Sequence, residues 1–412
     1  MVSYSYLQTT CRYAALAVTI LFLSGCSTAQ KRALPLTQVR KAAVEIPEEE
    51  LLDVGVTVFD VGNIQPDVAE KLGTTEDIRQ AESHYMPYHL KQVLQGSAHW
   101  GAVRVVPDGY DNVDLLIQSR LFDSNGEEMH VKFLVTDATG KIWMEKEYDV
   151  EIGGLDYARA QKVEEDPFQS VYHHFANDLA AFKQKLNSDI LKTIRTTSRM
   201  RFAADLAPEP YADYLEKQGD RHRLMRLPAD DDPVMDRLMQ VRESEALFID
   251  TLDKLYEVFY LKMDEAYLNW RKFNETEMEA LHELKRSSFM RVAGGIALIA
   301  AAIALELGDV SDTATLRQVM VLAGGAVIVD GVNISKQKAI HQAGVTELGA
   351  SFSADLESVV VEFNDKQIEL SGTVEEQFQQ WRGMLRQMYR DETGFPTGAG
   401  PQPAAVSGSS SS

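Results

Sequence analysis

The sequence predicts an α+β protein with an amino-terminal mixed-sheet α/β domain, a long helical hairpin or bundle, and a small carboxyl-terminal β-hairpin-helix module. Three observations lead there. Between residues 54 and 150, β-branched runs alternate with turn chemistry. Between 248 and 273, apolar residues recur in steps of three and four. Thr373-Val374-Glu375-Glu376 then places a capping box directly behind a second β-rich stretch.

Taken in chain order, residues 1–25 read as a secretory signal. Arg12 is the only charge before the apolar run from Ala14 to Leu23, which is shorter than the roughly 20 residues a membrane-crossing helix needs. Leu23-Ser24-Gly25-Cys26 follows. It resembles the lipobox of bacterial lipoproteins, which implies cleavage before Cys26 and lipid on its thiol. In that family Ser27, which is not an aspartate, implies an outer-membrane address. The other cysteine, Cys11, leaves with the signal, so the mature chain is expected to hold no disulfide, no thiol nucleophile and no cysteine-bound metal. Residues 26–50 lack apolar periodicity and read as a tether.

Residues 51–153 form the α/β head. Val54 to Phe59 is a strand, Thr74 to Leu94 a helix interrupted or restarted near Pro87, and Gly101 to Val106 a second strand. Strands over 114–122, 129–136 and 142–150 follow, joined by Asp123-Ser124-Asn125-Gly126 and Asp137-Ala138-Thr139-Gly140. Asn-Gly signals a hairpin because both residues tolerate positive φ. The order is a β-α-β unit followed by a meander. These residues, above all the Asp137–Gly140 turn before a strand with Trp143, resemble the small α/β domain of envelope lipoproteins such as the curli-export lipoprotein, the amino-terminal domain of TolB, and auxiliary lipoproteins of envelope transporters. The resemblance implies docking or assembly with other envelope proteins and carries over no catalytic residue.

The helical region covers 154–288. Asp166-Pro167 opens a helix expected to reach about Ile194, a loop containing Pro208, Pro210, Gly219 and Pro228 follows, and a long helix begins near Pro233. Its apolar face is Phe248, Leu252, Leu255, Phe259, Met263, Ala266, Trp270 and Phe273, widened by Tyr256, Tyr260 and Tyr267. Asp253, Lys254, Glu257, Lys262, Asp264, Arg271 and Lys272 are expected on the remaining surface.

Residues 289–340 form an apolar Gly/Ala-rich hairpin, with small residues at Gly294, Gly295, Ala297, Ala301, Gly324 and Gly325. Such faces let two backbones approach closely. Three readings stay open: a hairpin buried in the protein's own bundle, self-association of copies, and membrane docking. The acidic loop with Glu306, Asp309 and Asp312 argues against a full span. Lys285, Arg286, Arg291, Lys336 and Lys338 would suit a headgroup-facing base.

Residues 341–392 hold a helix, a hairpin around Asn364–Gln367, and a helix with Val374, Phe378, Trp381, Leu385 and Met388 on one face. Over about thirty residues, from Val359 to Leu385, this stretch resembles part of a BON domain, which implies envelope association. Residues 393–412 are Gly-, Pro-, Ala- and Ser-rich and read as a disordered tail.

Composition narrows the function. The 412 residues carry a net charge of -21, which repels polyphosphate and argues against nucleic acid as a partner. The sequence shows no phosphate loop, zinc-protease motif or nucleophile elbow. His84 and His89, the adjacent pair His173-His174, and Asp230-Asp231-Asp232 are weighed as metal ligands. They read instead as core or surface histidines and a solvated helix start, and Trp100, Trp143, Trp270 and Trp381 read as core. No cofactor is expected. The expectation is a non-enzymatic, lipid-anchored assembly, docking or transport-accessory component. Membrane docking through the apolar hairpin is the alternative, and an enzyme acting on cell wall or glycans a further class.

Overall fold

The computed structural model describes residues 34–65, 69, 73–304, 339–352, 358–363 and 366–393; for 281–304, 358–363, 366–368 and 392–393 it describes the backbone alone. Its first strand, β1 (Val54–Thr57), is buried throughout and pairs parallel with both neighbours, β2 (Val103–Val106) and β3 (Leu115–Ser124). β4 (Glu128–Asp137) and β5 (Ile142–Glu151) complete an antiparallel meander, giving the order β2-β1-β3-β4-β5. The α+β class and mixed sheet expected from sequence are present.

The sheet buries one face. Along β4, Met129, Val131, Phe133 and Val135 are inside, while His130 and Lys132 on the other face meet Glu145 and Glu147 of β5 across the strands. The buried face is covered by α1 (Glu76–Gly96), which crosses from β1 to β2, and by α3 (Gln169–Lys183), whose Phe175 stacks on Phe133 at 4.1 Å. Between β5 and α3 stands a short helix, α2 (Gly154–Val163).

Pro87 neither interrupts nor restarts α1. A proline cannot donate to the carbonyl four residues back. That carbonyl, on Ser83, instead accepts the Phe59 amide at 3.0 Å, just past β1. Tertiary structure fills the vacancy the proline creates.

The helix expected over 166–194 is two helices. α3 stops at Lys183, and α4 (Ser188–Leu206) restarts where the Asn187 side chain accepts the Ile190 amide at 2.9 Å. The region expected as loop also holds structure. A one-turn helix, α5 (Pro208–Tyr211), leads to a hairpin of β6 (Leu215–Gln218) and β7 (Arg221–Leu224). That hairpin rests on the Asp137–Gly140 turn through the His222 amide and the Thr139 carbonyl, 2.9 Å apart. Asp137 organises the turn by accepting from Thr139 and Lys141, and its second oxygen takes the Trp143 indole N–H at 2.7 Å.

The long helix, α6 (Pro233–Ala304), opens where Asp232 accepts the Val234 and Met235 amides, as a helix-start carboxylate should. Its expected stripe is largely inside, with Phe248, Leu252, Phe259, Met263 and Trp270 buried and Leu255, Ala266 and Phe273 half-buried. Two residues expected on the surface are buried instead. Asp253 meets Lys91 of α1 and accepts the amide of Val105 on edge strand β2 at 2.8 Å, while Arg271 pairs with Asp166. The helix thus caps a sheet edge as well as a hydrophobic face.

Residues 339–352 return as a helix, α7, antiparallel to α6. His341 stacks on Phe273 with centroids 5.2 Å apart, and Phe352 stacks on Phe259 at 4.2 Å. Gly349 lets α7 approach Ala81 of α1, where a β-carbon would stand only 3.2 Å away. The final unit is a hairpin of β8 (Ser358–Phe363) and β9 (Lys366–Ser371) with α8 (Val374–Thr393). The expected capping box is present, with Thr373 and Glu376 each accepting the other's amide. Trp381 stacks on Phe248, and Arg382 reaches Glu245, Asp205 and Asp111, tying α8 to α6, α4 and the β2–β3 loop. One apolar core runs through the head, the helical region and this module.

The expected tether is bound over its described part. Residues 34–50 form a strap along α3, with Leu34 and Val39 against the core and the Ala42 amide on the Ser97 carbonyl. The remainder of 26–50 lies outside the described residues, as do the expected signal 1–25 and tail 394–412.

Gly126 shows what holds the head to α6. Neither it nor Asn125 has positive φ, and the connection has three residues, Asn125 to Glu127, closed by the Asn125 amide on the Glu128 carbonyl. A β-carbon on Gly126 would stand 2.0 Å from the Arg271 carbonyl oxygen and 2.5 Å from the Glu275 nitrogen. The glycine is therefore required by close backbone approach. Gly126→Ala should destabilise the fold by about 3 kcal/mol, the upper range for overpacking, whereas Gly109→Ala, where a β-carbon meets open space, should cost only its positive-φ strain of about 1 kcal/mol. Urea denaturation of both variants checks the difference.

Candidate functional site

A cleft of about 790 Å³ opens between α2, the start of α3 and the 260–279 stretch of α6, with His89 and Gln92 of α1 in its wall. α2 is fixed in place at its amino-terminal end. The Gly153 amide donates to Asp156 at 3.1 Å, the Tyr157 hydroxyl donates to the Gly126 carbonyl at 2.7 Å, and Glu164 ends the helix in the left-handed region at φ 56°. Asp166 then accepts the Phe168 amide at 2.7 Å, which positions the start of α3. Acid dominates the rim, with Glu164, Glu165, Asp264, Glu265 and Glu279 set against Lys272.

Under the cleft lies a buried charge cluster. Arg271 is fully buried and donates to both oxygens of Asp166, at 2.8 and 3.1 Å. Its guanidinium lies 4.2 Å from the centre of the Tyr267 ring and 5.0 Å from that of Phe168. Burial opposes its charge, but Asp166, with the surrounding acidic groups, more than offsets that penalty and holds its pKa above the ordinary arginine value. Glu82, also fully buried, accepts from Ser124 at 2.7 Å and Tyr267 at 2.6 Å; burial raises its pKa against the pull of Arg271.

A chain of hydrogen bonds leaves the wall of the cleft. The Tyr260 hydroxyl is 2.8 Å from His89 Nδ1, His89 Nε2 is 2.6 Å from Gln169 Oε1, Gln169 Nε2 is 2.9 Å from His173 Nε2, and His173 Nδ1 is 2.9 Å from the Thr37 carbonyl on the strap. Burial lowers the pKa of His89, partly opposed by Asp166 and Gln169, so the neutral ring is favoured. His174 and His99 bond two further strap carbonyls, those of Pro35 at 2.7 Å and Arg40 at 3.1 Å. The cleft therefore offers negative charge at its rim and hydrogen bonding in its wall, a combination suited to a cationic group that also hydrogen-bonds.

Of the residues singled out from sequence, Cys26, Gly324 and Gly325 lie outside the described residues. Gly294, Gly295, Ala297 and Ala301 lie on the helical backbone of α6. His84 packs against Tyr256, Phe259 and Phe352, and Trp100, Trp143, Trp270 and Trp381 are core residues. Among the described residues, no group of three or more His, Cys, Asp or Glu could hold a metal ion, and no helix is long and apolar enough to cross a membrane. Tyr260 and Gln169 were not distinguishable as site residues. The available signal was local: Gln169 and His173 stand four apart on one helix face, but their link to His89 is tertiary. Compared with known proteins, the chain matches no family model, and no curated protein or solved structure aligns with it significantly.

Two measurements probe the surroundings of this site. Arg271→Met should cost about 3–5 kcal/mol because it strands Asp166 as a buried unpaired charge. Adding Asp166→Asn should restore part of that loss, and a denaturation double-mutant cycle reads the coupling. Lys183, whose ammonium bonds the His99 carbonyl beside the strap, has its pKa lowered to about 8 by burial, with Glu50 opposing. The folded protein then releases this proton near pH 8 and the unfolded chain near the ordinary lysine value, so the unfolded state binds more protons between the two. Stability should rise with pH through that window, and Lys183→Met should flatten the rise relative to wild type in denaturation midpoints taken at pH 7.5 and 10.

Proposed function

We propose that this protein is a lipid-anchored envelope component, held at the periplasmic face of the outer membrane through Cys26, that docks or assembles other proteins without catalysing a reaction. The observation that carries the reading is the antiparallel return of α7 along α6, sealed by the Phe273–His341 stack. Phe273 and His341, which flank the apolar Gly/Ala-rich segment in sequence, are thereby held side by side in one folded base. A folded base that carries an apolar Gly/Ala-rich segment in its sequence and an acidic cleft on its surface suits a component with two attachment surfaces. The cleft serves as the docking surface for a partner's basic segment. The apolar segment serves contacts with copies of the chain, with membrane as the alternative occupant. The resemblance of the head to the docking domains of envelope lipoproteins supports the same class.

Cells labelled with radioactive palmitate should incorporate it into the wild type and lose it in Cys26→Ala; equal labelling of both would remove the anchor from the proposal. Residues 27–412, secreted behind an ordinary cleavable signal, should be recovered as a soluble, defined oligomer by light scattering. Retention with membranes through high-salt washing would transfer the apolar segment to membrane docking, and a soluble monomer would remove both roles.

A further inference from the structure

The hydrogen-bond chain from the cleft to the strap has a forced direction. The Thr37 carbonyl only accepts, so His173 carries its proton on Nδ1. In a neutral ring Nε2 is then an acceptor, and it faces the amide nitrogen of Gln169. That turns the Gln169 oxygen toward His89 Nε2, which must donate, leaving His89 Nδ1 to accept from the Tyr260 hydroxyl. One acceptor on the strap thus orients four side chains as far as the cleft, where Tyr260, His89 and Gln169 all line the wall.

The same atoms support the opposite direction. If Tyr260 turns its hydroxyl toward an acceptor in the cleft, its oxygen is left for His89 Nδ1 to donate to. His89 then needs a donor at Nε2, which Gln169 supplies by flipping its amide. The flipped amide oxygen faces His173 Nε2, which must now carry the proton. Each imidazole moves its own proton from one nitrogen to the other, and no net charge is created. In that state Nδ1 of neutral His173 has no hydrogen, and Thr37 loses its donor.

The strap is held in a way that makes one bond matter. Leu36 and Val44 are 64% and 76% exposed, and Leu34 and Val39 are only half-buried. Its attachment rests instead on backbone hydrogen bonds, including Arg40 amide to Asn177 at 2.7 Å and Asn177 to the Gln38 carbonyl at 2.9 Å. Segments with few buried apolar contacts open far below the global unfolding free energy.

We propose that the cleft and the strap are coupled through this reversible chain, so that a polypeptide segment whose carbonyl accepts from Tyr260 loosens the strap that leads toward Cys26. The proposal rests on the reading of the cleft as a docking surface for a basic segment. It supplies the physical warrant for coupling, a two-state element that both sites bias.

The test uses the full chain with ¹⁵N-labelled histidine and a tetralysine peptide as the probe. Without peptide, imidazole ¹⁵N shifts should show His173 protonated on Nδ1 and His89 on Nε2; the opposite pair overturns the chain as described. Bound peptide should switch both tautomers and speed amide exchange at Arg40 and Ala42 about fivefold, the weight of one net hydrogen bond. His173→Leu, a position outside the cleft wall, should bind the peptide, exchange fast without it, and show no further response. A peptide that binds wild type yet leaves strap exchange unchanged overturns the coupling while sparing the docking surface. A peptide that fails to bind overturns the docking reading of the cleft and with it loosening by ligand, and the tautomers alone then decide whether the chain is directed as described.

Discussion

Asp253 joins three elements of the fold, α6, α1 and the edge strand β2. From the middle of α6 it takes the outward amide of Val105 on the sheet's edge and the ammonium of Lys91 on α1. Burial raises its pKa; the Lys91 bond and the Val105 amide work against that shift. A carboxylate that satisfies an edge strand and a neighbouring helix at once fixes both the height and the rotation of α6. The Gly126 contact, the cleft wall from Tyr260 to Glu279, and the seat of α7 all follow from where that helix lies. Nearby, the exposed Arg104–Asp250 pair runs in the same direction and adds little by itself.

Strands were readable from the sequence because a half-buried sheet imposes alternation, and the meander shows it in Met129, Val131, Phe133 and Val135. The Asn-Gly signal located a turn correctly for a reason that does not hold, since Gly126 is demanded by the backbone of α6 and not by its own φ. Pro87 misled because the group that compensates it, the Phe59 amide, lies 28 positions earlier in the chain. The break after Lys183 was marked by Asn187, but apolar periodicity running through it on both sides concealed the signal. Asp253 and Arg271 were assigned to solvent because charge is ordinarily exposed. Their partners, Val105 with Lys91 and Asp166, come from elements that periodicity along one helix cannot see.

The strap failed to register as structure for a related reason. Its recognition goes through main-chain carbonyls and amides, read by His173, His174, His99 and Asn177. Such contacts leave almost no mark on the side chains of the segment itself, which can stay polar and aperiodic. The receiving histidines carried the information, yet adjacent histidines on a helix look unremarkable until the segment they hold is in place. The cleft was hidden in the same way: its wall is assembled from α1, α2, α3 and α6, and its acids are dispersed over more than a hundred residues of sequence.

The stack of His341 on Phe273 also makes the architecture modular. Where two flanking residues meet in a finished core, the sequence beyond the cleft wall, after Glu279 and before residue 339, can change length or chemistry without altering the topology of its host. Selection can therefore act on the apolar segment and on the head as separate traits, and chains sharing the head would be expected to differ most over residues 289–338.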